Sequence, residues 1–212
     1  MSGTTRSSLS QSQQLILAGQ QLQPNDPLYN MVVVFEIEGC LDTDCFNDAF
    51  NILVKNCDAL RTVFTHSENK TSPHQSVLEN FVYPLPILDF SNTNNSTAKL
   101  QSWIDDHKQI KFNLEQCSFD SALIKLAEEK YCWYFNQHHL LTDAWSTGVI
   151  FQYLQSCYGL IKNQQTDVIQ PLPSYNSYLS WETQRQGSKP FLRAEKYWQE
   201  QQSIPFTASS FY

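Results

Sequence analysis

The amino-acid sequence predicts an α/β fold in which strands and helices interleave along the chain. Short runs rich in β-branched and aromatic residues, such as 31–35 and 131–135, are typical of buried strands. Apolar residues at three- and four-residue steps, as in 46–54 and 145–161, indicate helices that pack one face on a core. The chain has 212 residues, 41% of them hydrophobic, which suits one domain or part of a larger one.

The first part of the chain opens with residues 1–9, a polar stretch that we interpret as a flexible leader. Ser10 followed by Gln13 has the pattern of a capping box and predicts a helix to about Gln21. The continuous apolar run within 29–37 predicts a strand that is buried on both faces. The next elements expected are a helix capped by Asp42 or Thr43, strands over 60–64 and 75–78, an extended edge or loop near 85–88, and a helix over 98–110.

The second part contains a strand over 122–126 and another that starts at Tyr131, joined by a turn over 127–130. A long helix follows, and its residues predicted to face the core are Trp145, Val149, Ile150, Tyr153, Leu154, Cys157 and Ile161. After a polar connector, two more helices are expected over 175–184 and 191–201.

The stretch 137–146 reads Gln-His-His-Leu-Leu-Thr-Asp-Ala-Trp-Ser and lies between the last strand and the long helix. Thr142 or Asp143 can cap that helix, so His138 and His139 fall on a strand-to-helix turn. Such a turn can hold an imidazole at the mouth of a cavity in a fixed orientation. Catalysis by a neutral histidine requires that.

Three interpretations of this stretch compete. The two histidines can be ordinary polar residues that end a strand. They can belong to a metal site, since His139 and Asp143 are four residues apart, but adjacent histidines point in different directions and no third ligand is near in sequence. We therefore expect no metal. The third interpretation rests on a resemblance to a known family, which other motifs of the chain share.

Charge and composition limit the partners of the chain. It has 14 Lys and Arg against 21 Asp and Glu, a net charge of -7, which argues against binding to nucleic acid. No apolar run approaches the roughly 20 residues that cross a bilayer, and Met1–Gln14 lacks the apolar segment of a signal peptide. The six cysteines show no CxxC pair and are interpreted as reduced core thiols. We expect a cytoplasmic protein with no membrane partner.

Stretch 138–144 resembles the HHxxxDG signature of the condensation domains of nonribosomal peptide synthetases, which belong to the chloramphenicol-acetyltransferase-like superfamily. Ala144 stands where that family has glycine. Residues 9–13 followed by 26–30 look like the family's first motif. Residues 58–64 look like the second motif, RHExLRTxF, with its Leu-Arg-Thr and its Phe intact.

The fourth motif has an aromatic frame that Tyr175, Tyr178 and Trp181 match. The chain departs from the family's pattern at Asn56, Cys57, Asp58 and Ser177, which replace the usual Arg, His, Glu and Asp. The resemblance implies a chloramphenicol-acetyltransferase-like N-terminal lobe, with a mixed sheet flanked by helices, over residues 10–170. It also implies a helical segment over 171–212 that crosses towards a C-terminal lobe absent from the chain.

The resemblance further implies the chemistry. Condensation domains join an acyl or peptidyl thioester on a donor carrier protein to the amine of an aminoacyl thioester on an acceptor carrier protein. His139 is then the catalytic residue, which orients the amine or accepts its proton, and His138 supports the turn. Asp143 is expected to form a buried ion pair with Arg61, while Ala144 and Trp145 begin the supporting helix. No cofactor is bound directly, because the substrates travel on phosphopantetheine arms.

Two alternatives to amide formation stay open. One is a catalytically inactive half domain that docks a carrier protein or a module. It is favoured by Asn56, Cys57, Ala144 and Ser177, whereas the intact His139, Asp143 and Arg61 favour amide formation. The other is a coenzyme A-dependent acyltransferase of the same superfamily. If the chain is an enzyme lobe, we expect it to be inactive when isolated, because the C-terminal lobe supplies the other walls of the channel.

Overall fold

The computed structural model describes residues 6–66 and 73–203. The chain divides into two compact units, the first ending at Ser174 and the second starting at Tyr175. In chain order the elements are β1 (Arg6–Ser8), α1 (Gln11–Leu22), β2 (Asn30–Glu38), α2 (Thr43–Asn56), β3 (Thr62–His66), β4 (Pro73–Val77), β5 (Ile87–Asp89), α3 (Ser96–His107), β6 (Phe119–Ala127), β7 (Lys130–His138), α4 (Ala144–Lys162), α5 (Tyr175–Arg185) and α6 (Lys189–Gln202). The predicted α/β class is confirmed.

A four-stranded mixed sheet with the order β2-β7-β6-β5 forms the centre of the first unit. Strands β2, β7 and β6 are antiparallel, and β5 runs parallel to β6. The predicted burial of β2 on both faces is wrong, because β2 is the edge strand of this sheet and its residues are mostly half-buried. A continuous apolar run indicates a strand, but it does not say where in the sheet that strand lies.

Helices cover both faces of the sheet. Side chains alternate along β7, so its aromatic residues lie on both faces and are covered on each. On one face Trp133 and Phe135 pack in a core with residues of α2 and α4. On the other face Tyr134 packs in a second core with Leu100 of α3. All three aromatic side chains are almost completely buried, so β7 is the strand around which the first unit packs.

A second, three-stranded sheet has the order β1-β4-β3 and is antiparallel throughout. The sequence had suggested that residues 6–9 belong to a flexible leader, and this is wrong. Strand β1 pairs with β4, and Leu9 is buried with Leu17, Phe64 and Leu140. A short polar stretch carries no periodic signal, so this pairing was not predictable from the sequence. Residues 1–5 lie outside the described residues.

The helix caps follow the sequence closely. Ser10 and Gln13 form the predicted capping box at α1, and Asp42 caps α2. Asp143 caps α4, so Ala144 is its first helical residue. Alanine is favourable at such a position, and the replacement of the family's glycine carries no conformational penalty here.

The second unit consists of α5 and α6. In α5 the ring centroids of Tyr175 and Tyr178 are 5.4 Å apart, and those of Tyr178 and Trp181 are 5.6 Å apart. The rings of the predicted aromatic frame thus follow one another along one helix, with the first pair stacked and the second pair tilted. Of the helices that the structure describes, none is long and apolar enough to cross a membrane.

Candidate active site

The turn after β7 is fastened to the start of β2. The backbone N–H of His139 donates to the carbonyl oxygen of Tyr29 at 2.8 Å, and the N–H of Leu141 donates to the carbonyl oxygen of His138 at 2.9 Å. Tyr29 in turn lies against α1 at Gly19, where an added Cβ would overlap the Tyr29 hydroxyl. The backbone of His139 is therefore positioned by a strand end that packs on α1.

The half-buried side chain of His139 has a defined tautomer. Its Nδ1 lies 2.8 Å from the carbonyl oxygen of Thr142. A carbonyl oxygen can only accept, so Nδ1 carries the proton and Nε2 keeps its lone pair when the ring is neutral. Among the described residues, no protein group bonds to Nε2. The ring thus presents a hydrogen-bond acceptor that can also take up a proton.

His138 has the opposite tautomer and a different environment. Its Nδ1 accepts the backbone N–H of Leu140 at 3.1 Å, so its proton lies on Nε2, which is 3.3 Å from Oε1 of Gln20. The side chain is only 3% exposed. Burial, and to a lesser degree the neighbouring His139, lowers the pKa of His138 to about 4. His138 is neutral at ordinary pH and stabilises the turn from inside.

Sequence reasoning missed three buried residues that support the turn. Oε1 of Gln137 accepts the hydroxyl of Thr142 at 2.6 Å, and Nε2 of Gln137 donates to Oγ1 of Thr147 at 2.6 Å. The Thr147 hydroxyl donates to the carbonyl oxygen of Asp143 at 3.0 Å. The available signal was the pair of amides, Asn136 and Gln137, that directly follows the apolar run 131–135, because a buried amide has to be paired.

The predicted ion pair between Arg61 and Asp143 is wrong. Asp143 is exposed, and its Oδ1 accepts the hydroxyl of Ser146 at 2.6 Å and the backbone N–H of Ser146 at 2.8 Å. These bonds hold the pKa of the Asp143 carboxyl below its usual value. Arg61 pairs instead with Asp58, three residues earlier, at 3.0 Å, and also donates to the carbonyl oxygen of Leu78. Each charge thus has a local partner, although the buried Nε of Arg61 has no hydrogen-bond partner among the described residues.

The predicted core face of α4 is also partly wrong. Trp145 is 83% exposed and Val149 is 37% exposed. The buried residues of the helix are Thr147, Ile150, Leu154 and Cys157. Apolar residues occur on more than one side of α4, so their spacing alone did not select the face that packs.

A cleft of about 220 Å³ lies beside the turn. It is formed by the second half of α1, the segment 24–30 and the segment 111–114, and His138 rather than His139 belongs to its lining. The expectation that an imidazole of the pair lines a cavity therefore applies to His138. Within the described ranges, His, Cys, Asp and Glu side chains do not gather in groups of three or more that could hold a metal ion.

Comparison with known proteins identifies the family. The chain matches the family model described as "Condensation domain" over residues 4–207. The chain belongs to the condensation domain family. The resemblance of the chain to this family is thereby confirmed.

Relatives of this condensation domain occur in bacterial and fungal synthetases. Surfactin synthase subunit 3 of Bacillus subtilis is 28% identical over 195 residues, which are 91% of the chain and 15% of that protein. A hybrid PKS-NRPS synthetase of Penicillium oxalicum is 28% identical over 205 residues, which are 95% of the chain and 5% of that protein.

Solved condensation domains have the same fold. The starter condensation domain of rhizomide synthetase superposes with a TM-score of 0.84 at 27% identity, covering 97% of this chain and 52% of that one. The first condensation domain of the calcium-dependent antibiotic synthetase superposes with a TM-score of 0.85 at 20% identity, again with 52% of that chain covered. The chain thus spans about half the length of the condensation domains that it matches.

Proposed function

We propose that this chain is the N-terminal lobe of a condensation domain that forms amide bonds between carrier-bound acyl and aminoacyl thioesters, with His139 as its catalytic residue. The observation that carries the proposal is the hydrogen bond from Nδ1 of His139 to Thr142, which leaves Nε2 as an acceptor. An attacking amine needs such an acceptor, because its nitrogen becomes positively charged as it bonds to carbon.

The reaction step uses Nε2 of His139 in two ways. It first accepts a hydrogen bond from the amine and so orients the nitrogen lone pair towards the thioester carbonyl. As the C–N bond forms, Nε2 takes the proton that the nitrogen loses. The tetrahedral intermediate then expels the carrier thiolate by breaking the C–S bond, and the imidazolium gives its Nε2 proton to the thiolate. Amide, free thiol and neutral imidazole result.

The partners inferred are a donor carrier protein, an acceptor carrier protein and a C-terminal lobe. The support for the second lobe is that the chain spans 52% of the solved domains that it resembles. Phosphopantetheine arms on the carriers would deliver both substrates, and the chain itself would bind no cofactor. We infer a cytoplasmic setting from the six cysteines, none of which is paired with another in the described chain.

One observation favours a second candidate for the acyl donor. A mutant of the rhizomide starter condensation domain, 27% identical with a TM-score of 0.86, is described in complex with C8-CoA. A coenzyme A thioester and a carrier-bound thioester present the same reacting carbonyl group. We therefore keep acyl-coenzyme A as the alternative donor, to be tested beside the carrier-bound one.

The test joins the chain to its C-terminal lobe and follows radiolabelled acyl transfer from each donor to a loaded acceptor carrier. His139→Ala is expected to lower product formation by about 10²-fold or more, a loss of the size that general acid–base catalysis supplies. Carrier binding should not change. His74→Gln, which alters a half-buried histidine on β4, is the control that should keep its activity.

Equal product from wild type and His139→Ala would end the catalytic assignment and support the alternative of a docking half domain. The isolated 212-residue chain is expected to be inactive with both donors. Its lack of activity would follow from the missing channel walls, because much of the rate in such reactions comes from holding two substrates in place.

A further inference from the structure

We propose that Gln137 is a positioning residue that imposes the tautomer of His139 and acts through Thr142. The proposal deepens the proposed function, since its catalytic meaning rests on His139. Thr142 is the link because it bonds in two directions. Its carbonyl oxygen accepts Nδ1–H of His139 at 2.8 Å, and its hydroxyl donates to Oε1 of Gln137 at 2.6 Å.

The bond between Nε2 of Gln137 and Thr147 determines the orientation of the Gln137 amide. Nε2 of Gln137 donates to Oγ1 of Thr147, and the Thr147 hydroxyl donates to the carbonyl oxygen of Asp143. With Nε2 directed at Thr147, the acceptor Oε1 faces Thr142. Each donor in the series then has an acceptor. The hydrogen bonds thus connect α4 to the catalytic ring without an unpaired group between them.

Burial makes this series the fixed support of the turn. Gln137 is 0% exposed, and Thr142 and Thr147 are buried as well, so water cannot replace a lost partner. Gln137 belongs to β7, which is paired on both sides, with β2 and with β6. The carbonyl of Thr142 is thus held by a central strand as well as by the turn itself.

The two hydrogen-bond partners at position 137, Thr142 and Thr147, call for a glutamine. The end of this side chain must accept from the Thr142 hydroxyl and donate to Thr147 at the same time. Only an amide of this reach offers both. Leucine offers neither function, and glutamate can accept from both hydroxyls but brings a charge into a buried site.

The experiment records long-range proton–nitrogen correlation spectra of the 212-residue chain, which show which ring nitrogen of each histidine is protonated. In the wild type, His139 should show the Nδ1–H pattern and His138 the Nε2–H pattern, so the two neighbours control for each other. His139→Gln assigns the signals. An Nε2–H pattern for wild-type His139 would overturn the proposal.

Thr142→Val and Thr142→Ser form the matched pair, because only serine keeps the hydroxyl. Valine is expected to shift at least half of the His139 population to the Nε2–H tautomer, whereas serine retains the wild-type pattern. Gln137→Leu should shift the His139 tautomer in the same direction as Thr142→Val does. If Gln137→Leu does not fold, the comparison of Thr142→Val with Thr142→Ser tests the proposal by itself. An unchanged His139 pattern in folded Thr142→Val would disprove the role.

A kinetic readout separates positioning from mere stability. In the two-lobed protein, Thr142→Val should lower kcat about tenfold with KM unchanged, less than the roughly 10²-fold loss expected when the imidazole itself is removed, and Thr142→Ser should restore kcat. A change in KM alone would contradict the assignment. If His139→Ala leaves product formation unchanged, the proposed function fails, while the tautomer result on the isolated chain still stands by itself.

Discussion

His138 and His139 are adjacent and identical side chains, but their surroundings give them different tautomers and different burial. His138 is buried, and its ring accepts a backbone N–H, so it is kept neutral as a structural part. His139 is half-buried, and its ring donates to a backbone carbonyl, so its second nitrogen is available to a substrate. The direction of one hydrogen bond at Nδ1 separates the residue that supports the turn from the residue that we propose to be catalytic.

The buried His138 predicts a loss of stability in mild acid. The unfolded chain takes up a proton at this histidine near pH 6.5, but the folded chain does so only near its pKa of about 4. The unfolded state therefore binds more protons between these values, and the free energy of unfolding should fall by about 2 kcal/mol from pH 7 to pH 5. Urea denaturation at both pH values measures this.

His138→Gln is the matched variant for this experiment. Asp42, Asp89, Asp105 and Asp143 also have lowered pKa values, but their contributions are lost in both proteins as the pH falls. The difference between the two proteins isolates the histidine. The same pH dependence in wild type and variant would show that His138 does not resist protonation.

Because Asp143 caps a helix, we expect the chain to tolerate a substitution there that a buried ion pair would not tolerate. Asparagine caps helices as well as aspartate does, so Asp143→Asn should change the free energy of unfolding by less than about 0.5 kcal/mol, while Asp143→Ala should cost about 1 kcal/mol. A buried ion pair with Arg61 would instead make either change cost about 3–5 kcal/mol. Chemical denaturation of the two variants distinguishes these cases.

At this scale the sequence predicted which residues make the turn, but it did not predict how they are bonded. His139, Asp143 and Ala144 take the positions expected of them at the end of β7 and the start of α4. The bonding of Gln137 and the pairing of Arg61 depend on side-chain distances of 2.6 Å and 3.0 Å. A motif specifies residue types and spacing, and it leaves such geometry undefined.

At the scale of elements, α1 is attached to the second sheet and to the active-site turn by a pair of buried amides. Nε2 of Gln13 donates to Oε1 of Gln75 and to the carbonyl oxygen of Leu140, both at 3.1 Å. Nε2 of Gln75 donates to Oε1 of Gln13 and to the carbonyl oxygen of Ser8, both at 2.9 Å. The two side chains satisfy each other and fasten β1, α1 and the turn together.

The stabilities contributed by these two amides should be coupled. Gln75→Leu leaves one N–H of the buried Gln13 amide without its partner, while the bond to the Leu140 carbonyl remains, so we expect a loss of about 1–3 kcal/mol in the free energy of unfolding. The double change Gln13→Leu with Gln75→Leu should cost less than the sum of the single changes. Urea denaturation of the four proteins forms the cycle, with the exposed Gln21→Leu as the control on α1. Additive losses would mean that the two amides are not coupled.

The prediction of elements was most successful where periodicity or a cap was strong. The capping box of α1 and the aromatic strand β7 lie where they were expected. Strand β1 was missed because its pairing with β4 is a long-range contact without a local signal. The exposure of Trp145 was missed because α4 is apolar on more than one side.

At the scale of the whole molecule, several large apolar side chains of the first unit are exposed. Leu22 is 85% exposed, Trp145 83%, Val82 78% and Leu15 75%. Leu15 and Leu22 are seven residues apart on α1 and so lie on the same side of this helix, and contiguous apolar surface marks sites of interaction. The proposed C-terminal lobe would give such a partner to a chain that spans about half of the domains it resembles.

We therefore expect the isolated chain to self-associate as its concentration rises. Sedimentation velocity from micromolar to high concentration should show a growing weight-average mass. The double variant Leu15→Gln with Leu22→Gln on α1 should reduce this association without lowering stability, because both side chains lie in solvent. A single monomeric species at every concentration would count against the half-domain proposal.

The contact between Gly19 and Tyr29 has a consequence for how such sequences can diverge. A Cβ at residue 19 would overlap the end of the Tyr29 side chain, so a larger residue there requires this side chain to move or to become smaller. Tyr29 also holds the backbone of His139, so a larger residue at position 19 would disturb a histidine far away in the sequence unless position 29 became smaller. Among homologues, the sizes of the side chains at these two positions should vary inversely wherever the histidine is retained.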